Sequence, residues 1–290
     1  MRTHPSFGSG RLTALRTRGP VRDIARIRRL ALPTMHSPLY SPSDSGGSPS
    51  GRADEPLHRN LANLQPIFEL DQIAGKVLEE MGLGTVSAST DTDRQPAHID
   101  FSVLHFVILP QKSAWLDFML ETDRASALML YEAFSGVSEA SDDDLEDVLR
   151  ETMNMIHGSL KVAFKSCGVD VIIPLVPQSV QSSRLHATSG GYSLHSRHLL
   201  TIGEIKIRLT MVARVAPITR KRLKSFRLAE VLVEPLAPDG DENLVLVNKG
   251  TMLNKRVLDK IMAMAEYEQD EGSMHAIVEP SPLANLIKQD

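Results

Sequence analysis

The chain has 290 residues, with 32 Lys and Arg against 36 Asp and Glu, and a formal net charge of −4 at pH 7. That length buries a real core in one full domain with appendages or in two small domains, and a charge this close to neutral argues against the concentrated positive field of a general nucleic-acid binder. A single cysteine, Cys167, excludes an intrachain disulfide framework and a cysteine-rich zinc site, and no run of about 18 apolar residues marks a membrane span. A cytoplasmic location and a packed, unreactive Cys167 are the expectations.

Residues 1–59 are rich in Pro, Ser, Gly and Arg and carry no apolar periodicity that offsets the entropy of ordering them, so they read as a tail. Its arginines, from Arg2 to Arg29, fit a transit peptide, a basic arm, or a coding start at Met35; the last is preferred. Residues 60–216 read as one α/β domain of the α+β type. Phe68, Ile73, Val77 and Leu78 predict a helix ending at Gly82. Two apolar runs, Phe101 to Leu109 and Trp115 to Leu120, flank the turn Pro110-Gln111-Lys112-Ser113 and predict adjacent strands. A short helix over Ala125 to Phe134 closes at Gly136.

The strongest helix signal runs from Asp142 to Gly168. Ser141 or one of Asp142, Asp143 and Asp144 caps its start, where acidic groups complement the helix dipole, and Gly168 stops it. Leu145, Val148, Leu149, Thr152, Ile156, Ser159 and Ala163 recur at three- and four-residue steps and predict one buried stripe. Asp147, Glu151, Asn154, Gly158 and Lys161 fall on the opposite side, facing solvent, and the three-residue step from Glu151 to Asn154 makes them surface neighbours. Spacing alone marks an ordinary solvated face.

The wording of this helix adds to its spacing. Asp147-Val148-Leu149-Arg150-Glu151-Thr152-Met153-Asn154-Met155-Ile156-His157-Gly158-Ser159-Leu160-Lys161 resembles the helix of the CheX-like chemotaxis phosphatases, relatives of CheC and FliY. The family pattern, Asp-x-x-x-Glu-x-x-Asn-Met-Ile-x-Gly-Asn-x-Lys, is kept except at Ser159, where the family has Asn. The resemblance implies a mostly antiparallel sheet with helices packed on it, and a phosphatase for aspartyl-phosphorylated response-regulator receiver domains. It further implies Asn154 as the residue orienting the attacking water and Glu151 as the residue pairing with the receiver's active-site Lys. Asp147, Gly158 and Lys161 are implied as partner-docking positions. The chain then needs no cofactor of its own, because the receiver brings its magnesium, and positioning without covalent chemistry is a sufficient source of rate in phosphoryl transfer. The same surface without turnover would serve a receiver-binding adaptor. A homodimer is compatible with the resemblance.

Beyond the helix, Val169 to Pro177 predicts a buried strand, Gln181 to Tyr192 a loop, and the alternation from Leu199 to Val215 another strand. Antiparallel pairing is expected because the turns are too short for crossovers. His186, His195 and His198 carry no carboxylate or thiol to complete a metal shell, so no metal is assigned. Residues 217–227, with Arg220, Lys221, Arg222, Lys224 and Arg227, read as a basic linker. Residues 228–265 then read as a separate hairpin and helix: Glu230 to Glu234, an Asp239-Gly240 turn, Leu244 to Val247, a Lys249-Gly250-Thr251 turn and a helix capped by Asn254. This segment resembles the module that precedes HD-GYP phosphodiesterase domains. It contains no His-Asp pair, so that activity is not implied. Residues 266–290 read as a flexible end.

Overall fold

A computed structural model describes residues 61, 64–90, 98–180, 194–237, 245–267, 274–281 and 283–284. The expected tail, the 181–192 loop with His186, and the Asp239-Gly240 turn lie outside the described residues. Helices α1 (Gln65–Phe68) and α2 (Leu70–Glu80) lead to strands β1 (Ser87–Ser89), β2 (Phe101–Leu109) and β3 (Ala114–Thr122). Helices α3 (Arg124–Ser135) and α4 (Asp142–Ser166) follow, then β4 (Gln178–Ser179), β5 (Leu194–Ile202) and β6 (Ile205–Val215). The chain ends with β7 (Ile218–Arg222), β8 (Val231–Leu232), α5 (Lys255–Tyr267) and β9 (Met274–Val278). The fold is mixed α/β, and every strand pairing is antiparallel, as the short turns require.

The larger sheet runs β1-β5-β6-β3-β2-β4. Side chains alternate across its pleat, which gives the sheet two different faces. Val103, Val107 and Leu109 of β2, Leu116, Phe118 and Leu120 of β3, and Ile207, Leu209 and Met211 of β6 point to one face. There they pack against Leu78 and Val77 of α2, Leu130 of α3, and Leu145, Leu149, Met153, Ile156, Leu160 and Phe164 of α4. Leu104, Phe106, Ile108 and Trp115 point to the other face and bury against Ala229, Val231, Met252, Val278 and Leu283. Asp117, on that same face, accepts hydrogen bonds from Trp115 Nε1 and from Ser281 Oγ, the latter at 2.5 Å, and Arg214 donates to the Glu279 carbonyl at 2.8 Å.

Several expectations about the C-terminal third are corrected here. Residues 228–265 share a core with the larger sheet and are not a separate unit. Residues 217–227 are no linker: Ile218–Arg222 is β7, the edge of a small sheet ordered β7-β9-β8. Two of their cations are partnered, since Lys221 Nζ lies 2.6 Å from the buried Glu230 carboxylate and Arg220 lies 3.4 Å from Glu234. Residues 266–290 do not simply fray, because Met274–Val278 forms the middle strand of that sheet. On the far side of the small sheet, Leu223, Leu232 and Ile277 pack under Ile261 and Ala265 of α5, which Asn254 caps through the Val257 N–H at 2.9 Å.

Two further differences concern the first domain. Residues 169–177 make one bridge, between Ile172 and Ile108, and no strand, because Pro174 and Pro177 remove the donors a ladder needs. The alternation from Leu199 to Val215 is two strands: β5 and β6 form a hairpin that reverses at Gly203-Glu204, and Gly203 takes φ +57° in that turn.

Candidate functional site

Helix α4 presents the candidate residues, and its sequence explains its placement. Ser141 Oγ accepts from the Asp144 N–H while the Asp144 carboxylate accepts from the Ser141 N–H, a reciprocal cap that satisfies two otherwise orphan donors. Ser141 Oγ also donates to the Asp144 carboxylate at 2.6 Å, and that bond, together with the one from the Ser141 N–H, holds the Asp144 carboxyl below the usual carboxylate range. At the other end Gly168 takes φ +73°, which ends the helix and turns the chain toward Val169. Cys167, expected to pack, is exposed.

The buried stripe is corrected in its last turns. Leu145, Val148, Leu149, Thr152 and Ile156 are buried as expected, but Leu160 and Phe164 are buried where Ser159 and Ala163 were expected, and those two are only half-buried. The larger apolar side chains take the sheet contact because burial scales with apolar area. Met153 and His157 also lie in the core.

On the opposite side, Asp147, Glu151, Asn154, Gly158 and Lys161 are all exposed. Asn154 Nδ2 stands 3.4 Å from Glu151 Oε2, a long contact that leaves both side chains open to a partner. Among the described residues, neither side chain has another partner. Asp147 is different: its carboxylate pairs with Arg150, which also lies 3.9 Å from Glu146 and donates to Ser179 Oγ of β4 at 3.3 Å. Arg150 was not singled out from the sequence, although its three- and four-residue steps from two acids make it legible. A docking role for Asp147 therefore competes with an ion pair on its own helix.

Gly158 bears on function because folding does not require it. It sits inside a helix, and a Cβ placed there meets nothing within 4 Å. Gly costs about 1 kcal/mol relative to Ala in a helix interior. Gly158→Ala is therefore expected to raise the unfolding free energy by about 1 kcal/mol, read from urea midpoints, whereas Gly158→Phe should fold but lose any partner that approaches this face closely.

Beneath the same turn lies a buried polar pair. His105 of β2 and His157 of α4 meet through their Nδ1 atoms, with His157 edge-on to Phe118 at 4.6 Å between ring centroids. The Leu175 carbonyl accepts from His105 Nε2 at 2.7 Å, which fixes the tautomers. His105 carries its proton on Nε2, so its Nδ1 accepts, and His157 donates from Nδ1. The remaining nitrogen, His157 Nε2, is buried without a partner. Burial lowers the His105 pKa from 6.5 to about 4, and burial together with His105 lowers that of His157 well below 6.5. Elsewhere, His198 is buried with its Nδ1 3.8 Å from an Asp71 carboxylate oxygen. Among the described residues no cluster of His, Cys, Asp or Glu is arranged to hold a metal, and no helix is long and apolar enough to cross a membrane.

Comparison with known proteins gives structural neighbours only. No family model matches, and no curated protein matches. Among solved structures, the chain is similar to a CheX–CheY complex with beryllofluoride and magnesium from Borrelia burgdorferi, at 15% identity and TM-score 0.42, covering 52% of this chain and 99% of that one. It is likewise similar to a CheC-like superfamily protein from Shewanella sp. PV-4, at 16% identity and TM-score 0.42 over 52% and 99% of the two chains. A FliM middle domain from Vibrio alginolyticus matches at 13% identity and TM-score 0.35, over 53% and 92%.

Proposed function

We propose that the chain dephosphorylates aspartyl-phosphorylated receiver domains of response regulators, using the exposed face of α4. The observation that supports this reading is the pairing of Glu151 and Asn154, adjacent, exposed and otherwise unpartnered on a helix whose wording resembles that of the CheX-like phosphatases. An aspartyl phosphate is already a reactive acyl phosphate. Asn154 enters the receiver site and orients a water for in-line attack on phosphorus; the bond to the aspartate oxygen breaks, inorganic phosphate leaves and the aspartate is restored. Glu151 pairs with the receiver's Lys and sets the register, Gly158 lets the receiver backbone approach, and Lys161 supplies a flanking charge. The receiver's own magnesium balances the phosphoryl charge. Nothing in this scheme asks α4 for a nucleophile, and geometry with charge placement supplies the rate.

The test is to map amide shifts of this chain on adding receiver domains from the same cell, each loaded with a non-hydrolysable phosphoryl mimic. The reading expects one receiver to perturb residues 147–161 when loaded and much less when unloaded. Perturbation confined to other surfaces overturns it. Binding at α4 without turnover would make the chain a receiver-binding adaptor.

A further inference from the structure

The sheet face turned away from α4 carries a cluster that the proposed phosphatase does not use. Arg208 and Thr210 lie two apart on β6 and alternate with Ile207 and Leu209, which face the helices, so their side chains share the other face. Register places Glu121 of β3 opposite Arg208 and Arg197 of β5 opposite Thr210. Directly opposed residues have Cβ atoms about 5 Å apart, which makes Arg197, Thr210 and Arg208 contiguous. Arg208 Nε donates to Glu121 Oε2 at 2.8 Å, and both side chains are 3% exposed.

That ion pair leaves three polar atoms of the cluster without a partner. Arg208 Nη1, Thr210 Oγ1 and Arg197 Nε are each buried with no hydrogen-bond partner. Two of them belong to guanidinium groups, which only donate, and the third is a hydroxyl that can donate. Among the described residues Glu121 is the one carboxylate paired with these groups, so two guanidinium groups stand beside one carboxylate there. Buried donors without acceptors are destabilising, more so when charged, and call for an acceptor. The cluster presents donors from two strands on one face of the sheet, and the Thr210 hydroxyl is its one unpaired group that can also accept. Its chemistry is the complement of an oxyanion.

We propose that Arg197, Arg208 and Thr210 bind a small phosphate-type oxyanion, either inorganic phosphate or the phosphoryl group of a small ester, on the sheet face away from α4. Two guanidinium groups and a hydroxyl suit a group with several acceptor oxygens better than they suit chloride or a single carbonyl. Glu121 holds Arg208 in place by taking its Nε, leaving Nη1 for the ligand. This site is independent of the Glu151 and Asn154 surface.

The experiment follows thermal unfolding of the full chain in phosphate, in acetate and in chloride at matched ionic strength, with Arg197→Met and Thr210→Val compared. Wild type is expected to gain about 3 °C in about 50 mM phosphate over chloride, with acetate giving less. Arg197→Met should fold, keep its chloride melting temperature within a degree or two and lose most of the phosphate gain, and Thr210→Val should lose part of it. Arg208→Met is not used alone, because it strands the buried Glu121 carboxylate. Equal melting temperatures in phosphate and chloride, or an undiminished gain in Arg197→Met, overturn the proposal; an equal gain in acetate overturns the phosphate assignment. Replacing phosphate by glycerol phosphate tells the two sources apart: a larger gain assigns an ester ligand, an equal or smaller one the free ion.

Discussion

Acidification from pH 7 to about pH 4 is expected to lower the unfolding free energy by about 3 kcal/mol through His105 alone. The sign follows from where the protons bind. In the unfolded chain an imidazole takes up its proton near pH 6.5, whereas folded His105 does so only near pH 4. Between those values the unfolded state holds the extra proton, so the contribution is complete above pH 6.5 and lost as pH falls through that window. His157 adds to the loss in the same direction. A proton added to the pair has no acceptable place: on His105 Nδ1 it faces the His157 donor, and on His157 Nε2 it is buried without an acceptor. Urea midpoints at pH 7, 6, 5 and 4 for wild type and for the double variant His105→Leu/His157→Leu check this. The variant, with both imidazoles replaced by apolar groups, should show a much flatter profile; parallel profiles would remove the pair from the account.

A second large effect is expected from Glu151 and Asn154, whose proposed roles predict different losses. Glu151→Lys places like charges at the contact with the receiver's Lys and should weaken binding by about 2 kcal/mol or more, roughly a factor of 30. Asn154→Ala should leave receiver affinity within about threefold and slow dephosphorylation about 100-fold, since a positioning group acts on the rate. Neither substitution should change stability by more than about 0.5 kcal/mol, because both side chains are exposed and joined only by a 3.4 Å contact. Titration calorimetry read beside phosphate-release rates separates the two. Matching losses of affinity and rate in both variants would contradict the division of roles.

The helix that carries those residues was legible because its signals agree. Ser141 and Asp144 at the start, Gly168 at the end, and a stripe at helical spacing between them all point to one element. Strands β2 and β3 were legible as two apolar runs flanking a short turn. What covers the second face was not. Met274–Val278 is five residues long and lies among polar neighbours, so nothing local marks it as the strand that completes the small sheet. Ile218–Arg222 was hidden by its cations, which read as a solvated linker until Glu230 and Glu234 are seen beside them. The His105–His157 pair could not be read at all, because the two residues are 52 apart in sequence and each alone is an ordinary residue of its element. Arg197 and Arg208 fail in the same way: strand register, not sequence distance, makes them neighbours.

The most direct test of the central claim is the single-turnover decay of one phosphorylated receiver domain mixed with excess wild-type chain. The account predicts that phosphate leaves about 100-fold faster than from the receiver alone, and that Asn154→Ala at a concentration that still saturates the receiver returns the decay to near its unaided rate. Decay at the unaided rate with wild type bound, or acceleration that survives Asn154→Ala, would contradict it.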